Sequence, residues 1–245
     1  MNVVVLGGTK GIGRAVARLC AERGDRVVLL GRAKDDLDRS ATDLNVRAGR
    51  AAVAGVATCD LTDPSTFAPA LAAASAALGG IDTVVVTAAD FGTQADLEAD
   101  IERTQRLLTV NFAHTIVFCE LARPYLLERR GTLAVVSSVA GDRGRKPVIL
   151  YGATKAGLSA YLEGLDHKYA SAGLKVVCVK PGFVKTGMTS GLKPPPFAGE
   201  PEGVAKDIVR AIDRGTPVVY TPGIWRLVML VIKNLPRFVM RKIGF

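Results

Sequence analysis

The chain has few of the residues that build metal and redox centres. Its 245 residues hold only four cysteines and two histidines. Cys20, Cys59, Cys119 and Cys178 stand singly in apolar surroundings, and no CxxC unit is present to hold zinc or cycle a disulfide. They read as reduced core residues of a cytoplasmic protein, and no metal is expected. His114 and His167 have no aspartate at a spacing that would recruit them into a triad, so both read as structural. No apolar run approaches the ~20 residues of a membrane span. A strand-like run begins at residue 3, which leaves no room for a signal peptide. The net charge of +9 raises nucleic acid or an anionic membrane as partners. No block of like charge stands out in the first 220 residues, however, so nucleic-acid binding is not expected.

What is present is regular alternation. Asn2 to Leu6 is a short apolar run, and similar runs recur at Val27–Leu30, Ala52–Ala57, Thr83–Thr87, Thr132–Ser137, Lys175–Val179 and Pro217–Tyr220. Helical patterns lie between them at Arg14–Arg23, Ser65–Leu78, Ile101–Arg129, Tyr151–Ala172 and Gly203–Asp213. Strands that alternate with helices of this length predict βαβ units and a parallel sheet. Right-handed crossovers make that sheet doubly wound, with ligands beyond the carboxyl ends of its strands. The expectation is a single-domain, Rossmann-type α/β fold of about seven strands over residues 1–222. There is no repeat and no linker.

Directly after the first strand comes Gly7-Gly8-Thr9-Lys10-Gly11-Ile12-Gly13 and then a helix. Strand, glycine-rich turn and helix are the context that a dinucleotide-binding motif requires. Gly7 permits the tight turn, Gly11 lets backbone approach a pyrophosphate, and Gly13 lets helix pack on strand. The helix amino terminus offers free N–H groups to phosphate. Gly7, Thr9, Lys10, Gly11, Ile12 and Gly13 are therefore candidate cofactor contacts. The spacing is G-x-x-x-G-x-G rather than G-x-G-x-x-G, and a bare strand-turn-helix connection is the plain alternative. Further on, Tyr151 and Lys155 stand four residues apart, which places both on one helix face. An ammonium beside a phenol favours the phenolate and lowers the phenol's pKa, making a tyrosine able to exchange a proton near neutral pH. Ser138 lies thirteen residues before that tyrosine.

The glycine turn, the Ser138/Tyr151/Lys155 set and Pro181-Gly182, in this order and spacing, resemble the short-chain dehydrogenase/reductase family from about Val3 to Tyr220. The resemblance implies that Tyr151 is general acid in ketone reduction and base in the reverse. It implies that Lys155 lowers the tyrosine pKa and holds the nicotinamide ribose, and that Ser138 bonds the substrate oxygen. Asn111 matches the asparagine that links the lysine to a water relay. Asp60-Leu61 resembles the adenine contact, and Pro181, Gly182, Val184 and Thr186 match the loop near the carboxamide. The family's fourth strand usually ends Asn-Asn-Ala-Gly. Here Thr87-Ala88-Ala89-Asp90 takes its place, which removes an asparagine that stabilises the central sheet and leaves the chemistry intact. Ala88 and Ala89 still leave room for the cofactor ribose.

The second strand runs into Gly31-Arg32 where an acid would bond the ribose hydroxyls of NAD. A guanidinium suits a 2′-phosphate instead. With Lys10 and Thr9 this placement accompanies NADP(H) in the family, so NADP(H) is the expected cofactor. The alternative is that Arg32 and Lys10 are solvated surface charges. Residues 187–200, with three consecutive prolines, fit a lid over the substrate. The loop Gly141–Lys146 carries three cations, suited either to a substrate phosphate or merely to solvent.

Residues 223–245 hold five basic residues and no acid among crowded apolar ones. On a helix, Arg226, Lys233 and Arg237 fall within ~40° of one another, and Pro236 divides the segment. A basic face on an apolar helix with Trp suits the membrane interface. A subunit contact in a dimer or tetramer suits it equally. Tail, lid and tyrosine helix are similar to a family subgroup that contains the decaprenylphosphoryl keto-pentose reductases. A ketone on a lipid or lipid-linked sugar, reduced at the cytoplasmic face of a membrane, is therefore the substrate expected. A soluble 3-oxoacyl or secondary-alcohol dehydrogenase and a non-catalytic dinucleotide-binding protein are the competing readings.

Overall fold

A computed structural model describes residues 1–244. Seven strands form one parallel sheet: β1 (Asn2–Leu6), β2 (Arg26–Gly31), β3 (Val53–Thr58), β4 (Thr83–Val86), β5 (Thr132–Val136), β6 (Lys175–Pro181) and β7 (Val218–Thr221). Their order is β3-β2-β1-β4-β5-β6-β7. The direction of winding reverses between β1 and β4, the place where open α/β sheets bind ligands.

Alternation along β1 shows how the two layers form. Val3 and Val5 face helices α1 (Gly11–Glu22), α2 (Lys34–Ala48) and α8 (Pro201–Arg214), meeting Val16, Leu37, Leu44 and Ile208. Val4 and Leu6 face α3 (Phe67–Leu78), α6 (Thr115–Glu128) and α7 (Ile149–Tyr169), meeting Phe67, Phe118 and Leu162. Successive strand side chains point to opposite faces, so one run of valine and leucine feeds two cores.

Two helical expectations need correction. Helix α2 is absent from the helices expected above, because only Leu37, Ser40 and Leu44 are buried along its 15 residues. Its apolar stripe is thus about one residue per turn, narrower than the usual core-facing stripe. The stretch Ile101–Arg129 is not one uniform helix. It comprises α5 (Ile101–Leu108), a π-helical turn over Thr109–His114, and α6. A short α4 (Gln94–Ala99) precedes it, and the Asp100 carboxylate between them accepts from the Arg103 N–H to cap α5.

The carboxyl-terminal segment forms α9 (Ile224–Asn234) and α10 (Arg237–Lys242), with Pro236 at their junction. Trp225, Met229 and Ile232 are buried together with Val139, and Tyr220 and Met240 pack alongside. Among the described residues no helix is long and apolar enough to cross a membrane.

Candidate active site

The glycine turn is shaped by contacts that admit no side chain. A Cβ on Gly13 would lie 2.3 Å from the Gly7 carbonyl oxygen and from Thr87 Oγ1. A Cβ on Gly7 would lie 2.7 Å from Thr87 Oγ1, and its φ of +89° is costly for other residues. Gly11, at φ +53°, brings the turn against Thr186 of the loop after β6. The result is a bare backbone cradle at the amino terminus of α1. Its walls are Arg32 at the end of β2, Asp60 and Leu61 after β3, and Ala88 and Ala89 after β4. This arrangement fits a dinucleotide, with N–H groups and a helix end for the pyrophosphate.

Thr87 corrects one sequence-based expectation. Without the asparagine at the end of β4, the sheet is expected to lack a tie. Instead the Thr87 hydroxyl donates to the Leu6 carbonyl at 3.0 Å, with the Gly7 carbonyl at 3.4 Å. A shorter side chain reaches because β1 and β4 are adjacent and in register at Leu6 and Val86. The contact survives with a different residue.

The cradle opens into a cavity of about 740 Å³ that extends to Ser138, Tyr151 and Lys155. Ser138 follows β5 and caps a short 3₁₀ turn, its oxygen accepting from the Ala140 N–H at 3.1 Å. The neighbouring Ser137 hydroxyl instead meets the Lys155 carbonyl at 2.9 Å and Ser159 at 2.8 Å, which ties β5 to α7. Tyr151 and Lys155 project from the first two turns of α7. Phe91 meets the Tyr151 ring edge-on at 5.3 Å between centroids. Helix α7 approaches the Ser138 loop closely because Gly141 and Gly152 lack side chains. A Cβ on Gly141 would strike the Lys155 carbonyl carbon at 2.6 Å, and one on Gly152 the Ala140 carbonyl oxygen at 2.8 Å.

The protonation picture differs from the simple tyrosine–lysine pairing. Burial pushes the Tyr151 phenol up to about 12, while the Ser138 hydroxyl pulls the other way. Burial pulls the Lys155 ammonium down to about 8, opposed by nearby Cys178. The Lys155 ammonium is engaged with backbone. Its Nζ donates to the Val136 carbonyl at 3.0 Å and stands 5.6 Å from the centre of the tyrosine ring. Desolvation of both groups outweighs their mutual influence. Tyr151 therefore holds its proton across the neutral range, as a general acid must.

Asn111 sits in the π-helical turn, which redirects its side chain out of the α-helical register. Its amide is fully engaged with one residue. Oδ1 accepts from the Asp90 N–H at 2.6 Å, and Nδ2 donates to the Asp90 carbonyl at 2.8 Å. It therefore fixes the loop after β4, and its side chain makes no direct bond to Lys155. His114, at the end of the same turn, lies 2.7 Å from the Leu61 carbonyl and edge-on to Phe67.

On the cofactor rim, Lys10 is exposed and 3.6 Å from Asp36, and Arg32 is exposed beside it. Asp60 is half-buried, its carboxylate accepting from the Thr62 N–H at 2.9 Å. Ile12 lies at the start of α1, facing the cavity. Pro181, Gly182, Val184 and Thr186 line the opposite wall.

The rest of the cavity is assembled from distant segments, mostly apolar, with Arg106 and Arg145 among them. Phe91, Val148, Met188, Leu192, Pro195 and Trp225 line it. The segment 187–200 is anchored at both ends. Val184 and Gly199 form a parallel bridge, Lys185 meets Glu200 at 2.6 Å, and the Trp225 indole N–H donates to the Phe197 carbonyl at 3.2 Å. The same indole lies on Gly182, where a Cβ would come within 2.0 Å of its Nε1. Sequence reasoning did not place Phe91 or Trp225 in the site, and it named Arg145 only as one of three cations in a loop suited either to a substrate phosphate or to solvent. The only usable signal is that Trp225 is the chain's one tryptophan.

A family model described as short chain dehydrogenase matches residues 1–195. An uncharacterized oxidoreductase of Mycobacterium tuberculosis is 34% identical over 241 residues, covering 98% of this chain and 96% of the relative. Another uncharacterized oxidoreductase, from Streptomyces coelicolor, is 33% identical over 250 residues, covering 99% of this chain and 95% of its own length. Among solved structures, a variant of the actinorhodin polyketide ketoreductase with NADPH superposes with a TM-score of 0.79 at 23% identity, covering 89% of this chain and 94% of that one. A short-chain type dehydrogenase/reductase from Mycobacterium ulcerans gives 0.80 at 22% identity, over 89% and 86%. The sequence match carries the chemistry, and the superpositions carry the fold. A seven-stranded parallel sheet, a glycine cradle and a buried tyrosine–lysine pair belong together here because the chain is a member of the short-chain dehydrogenase/reductase family, an NAD(P)-dependent oxidoreductase acting on CH–OH groups.

Proposed function

We propose that the protein is an NADPH-dependent ketone reductase acting on a lipid or lipid-linked substrate. One observation carries the reading: Tyr151 lines one chamber together with the glycine cradle, the rim cations Lys10 and Arg32, and apolar side chains from Phe91 to Trp225. NADPH would supply the hydride. Tyr151 then delivers its Oη proton to the substrate oxygen, and Ser138 stabilises the negative charge that develops there. Lys155, buried below the tyrosine, holds the ribose side of the chamber. Gly7, Thr9, Gly11, Ile12 and Gly13 hold the pyrophosphate. Asp60 and Leu61 receive the adenine, and Pro181, Gly182, Val184 and Thr186 the carboxamide.

Arg32 and Lys10 favour the 2′-phosphate, because neither β2 nor its end offers a carboxylate to ribose hydroxyls. Asp36, which follows in α2, is paired with Arg39 and with Lys10. The Arg39 guanidinium and then Lys10 hold its carboxyl below the usual range.

Helices α9 and α10 also carry apolar side chains on the outer surface. Leu227, Leu230 and Val231 of α9 are each 62% exposed and Phe238 66%, with Arg226, Lys233, Arg237 and Arg241 exposed around them. That pairing suits a peripheral site at the cytoplasmic membrane face. The same apolar face favours a second reading, a soluble dehydrogenase joined as a dimer or tetramer through α9.

NADPH oxidation with a panel of long-chain and prenyl-linked ketones tests the reaction. Tyr151→Phe is expected to lower kcat by about 10² to 10⁴. An unchanged kcat would end the assignment. Arg32→Asp is expected to weaken NADPH far more than NADH, and equal weakening would remove the NADP preference. Flotation with phosphatidylglycerol vesicles, comparing the native chain with a Leu227→Gln, Leu230→Gln, Val231→Gln variant, separates the two readings. Loss of flotation supports the membrane. A native chain that never floats, together with a variant that loses its oligomer, supports the subunit contact.

A further inference from the structure

The loop between β5 and α7 carries Arg143, Arg145 and Lys146, and the fold treats them differently. Arg143 Nη2 donates to the Leu235 carbonyl at 2.9 Å, at the carboxyl end of α9. Lys146 Nζ donates to the Arg241 carbonyl at 2.6 Å, in the last turn of α10. These two cations hold orphan carbonyls at helix ends and are explained by that alone.

Arg145 has no such partner. Its side chain turns into the cavity that holds Ser138 and Tyr151. Its Nε is shut off from solvent and meets no acceptor among the described residues. The acidic group that acts on it by charge is Asp142, but both oxygens of that carboxylate already have partners. One oxygen accepts from Lys180 Nζ at 2.6 Å and the other from the Tyr220 hydroxyl at 2.7 Å. Arg106, another cation lining this cavity, is matched by Asp90 at 3.3 Å. Burial depresses the Arg145 pKa, with Asp142 as the opposing influence, so the guanidinium is held at an energetic disadvantage.

A buried donor without an acceptor is costly, and more so when it is charged. An arginine cannot escape that cost by losing its proton at ordinary pH. A ligand that brings an anionic oxygen relieves it, and the apolar wall around it strengthens the bond.

We propose that Arg145 is the receptor for an oxyanion carried by the ketone substrate, so that the substrate is an anionic ketone held at two points. The carbonyl lies against Tyr151 and Ser138, and the phosphate or carboxylate lies against the Arg145 guanidinium. This assignment rests on the ketone-reductase reading above and narrows its substrate class. It also divides the cations of the chamber between two ligands, with Lys10 and Arg32 serving the cofactor and Arg145 the substrate.

The test uses matched ketones that differ only in charge: a neutral ketone, its carboxylate and its phosphate ester. The ratio of kcat/KM for each anionic ketone to that for the neutral one is read in the full chain. The native enzyme is expected to prefer at least one anion by about tenfold or more, and Arg145→Met to lose that preference through KM. Whichever anion shows the larger loss, carboxylate or phosphate, identifies the oxyanion. A second measurement is independent of turnover: calorimetric titration of glycerol phosphate and of butyrate into the NADP⁺-saturated enzyme. Arg145→Met is expected to weaken binding of one of them by about tenfold, and Arg145→Lys, which keeps the charge, by less. If no ketone is reduced while the anion still binds through Arg145, the reductase reading fails and the receptor stands. If ketones are reduced with no charge preference and no Arg145-dependent binding, the receptor fails alone. A loss of NADPH affinity in Arg145→Met as large as the loss for the anion would also overturn the proposal, by assigning the residue to the cofactor.

Discussion

The two ends of the chamber are built on different principles. The cofactor end is made by backbone within one short stretch, Gly7–Gly13, closed by Thr87 from the neighbouring strand. Its shape follows from where side chains are forbidden. The end proposed for substrate is made by side chains from four separated stretches: Phe91, the Arg145–Val148 loop, residues 187–195 and Trp225. Its shape follows from how those stretches brace one another. Local sterics make a site that one peptide can specify. Bracing makes a site that can change its contents without disturbing the sheet.

The sharpest way to break this contrast is at Gly13. A methyl there would sit 2.3 Å from a backbone oxygen that cannot move without moving β1. Gly13→Ala is expected to cost about 3 kcal/mol or more in urea unfolding, with NADPH binding lost in parallel. A stable Gly13→Ala protein that binds NADPH normally would mean the cradle is not set by close packing.

In the loop after β6, where Trp225 lies on Gly182, the obstacle is a side chain, and the cost should be removable. Gly182→Ala alone is expected to cost about 2 kcal/mol, because the Trp225 indole must shift. In a Trp225→Ala background the same change should cost at least about 1 kcal/mol less, a coupling read from a double-mutant cycle. Equal costs in both backgrounds would show that the indole does not form the wall behind Gly182.

Between the two ends lies Lys155. Its pKa is depressed to about 8 in the folded protein, against 10.5 for the free side chain. The folded state therefore binds protons less readily than the unfolded chain, and this group's penalty develops as pH falls from about 10.5 to about 8. Lys155→Met should gain about 1 kcal/mol at pH 7, modest because the Val136 carbonyl loses its donor. The gain should fade as pH rises from about 8 towards 10.5. Thermal unfolding of the cofactor-free protein at pH 7 and pH 10 measures it. A gain that grows with pH would reverse the sign and refute the depressed pKa.

The same contrast explains what could be read from the sequence. The glycine spacing, the i, i+4 tyrosine–lysine pair and the alternating strands are local, and each appears in the fold where the chain placed it. The π turn around Asn111 is less legible, since a wider turn inside a helix changes neither composition nor the broad period. The Thr87 tie depends on how closely β1 and β4 approach. The orientation of Arg145 was out of reach for a further reason. Three cations in six residues look alike until Arg143 and Lys146 find carbonyls roughly ninety positions later.

Helix α9 turns one side inward, through Trp225, Met229 and Ile232, and leaves Leu227, Leu230 and Val231 uncovered. Deleting residues 223–245 would therefore do more than shorten a tail. Gly182 would lose its cover, Val139 would be wetted, and the Phe197 carbonyl would lose its donor. Engineering of the outer surface has to proceed by single outward-facing positions, because the inward ones are masonry of the reaction chamber.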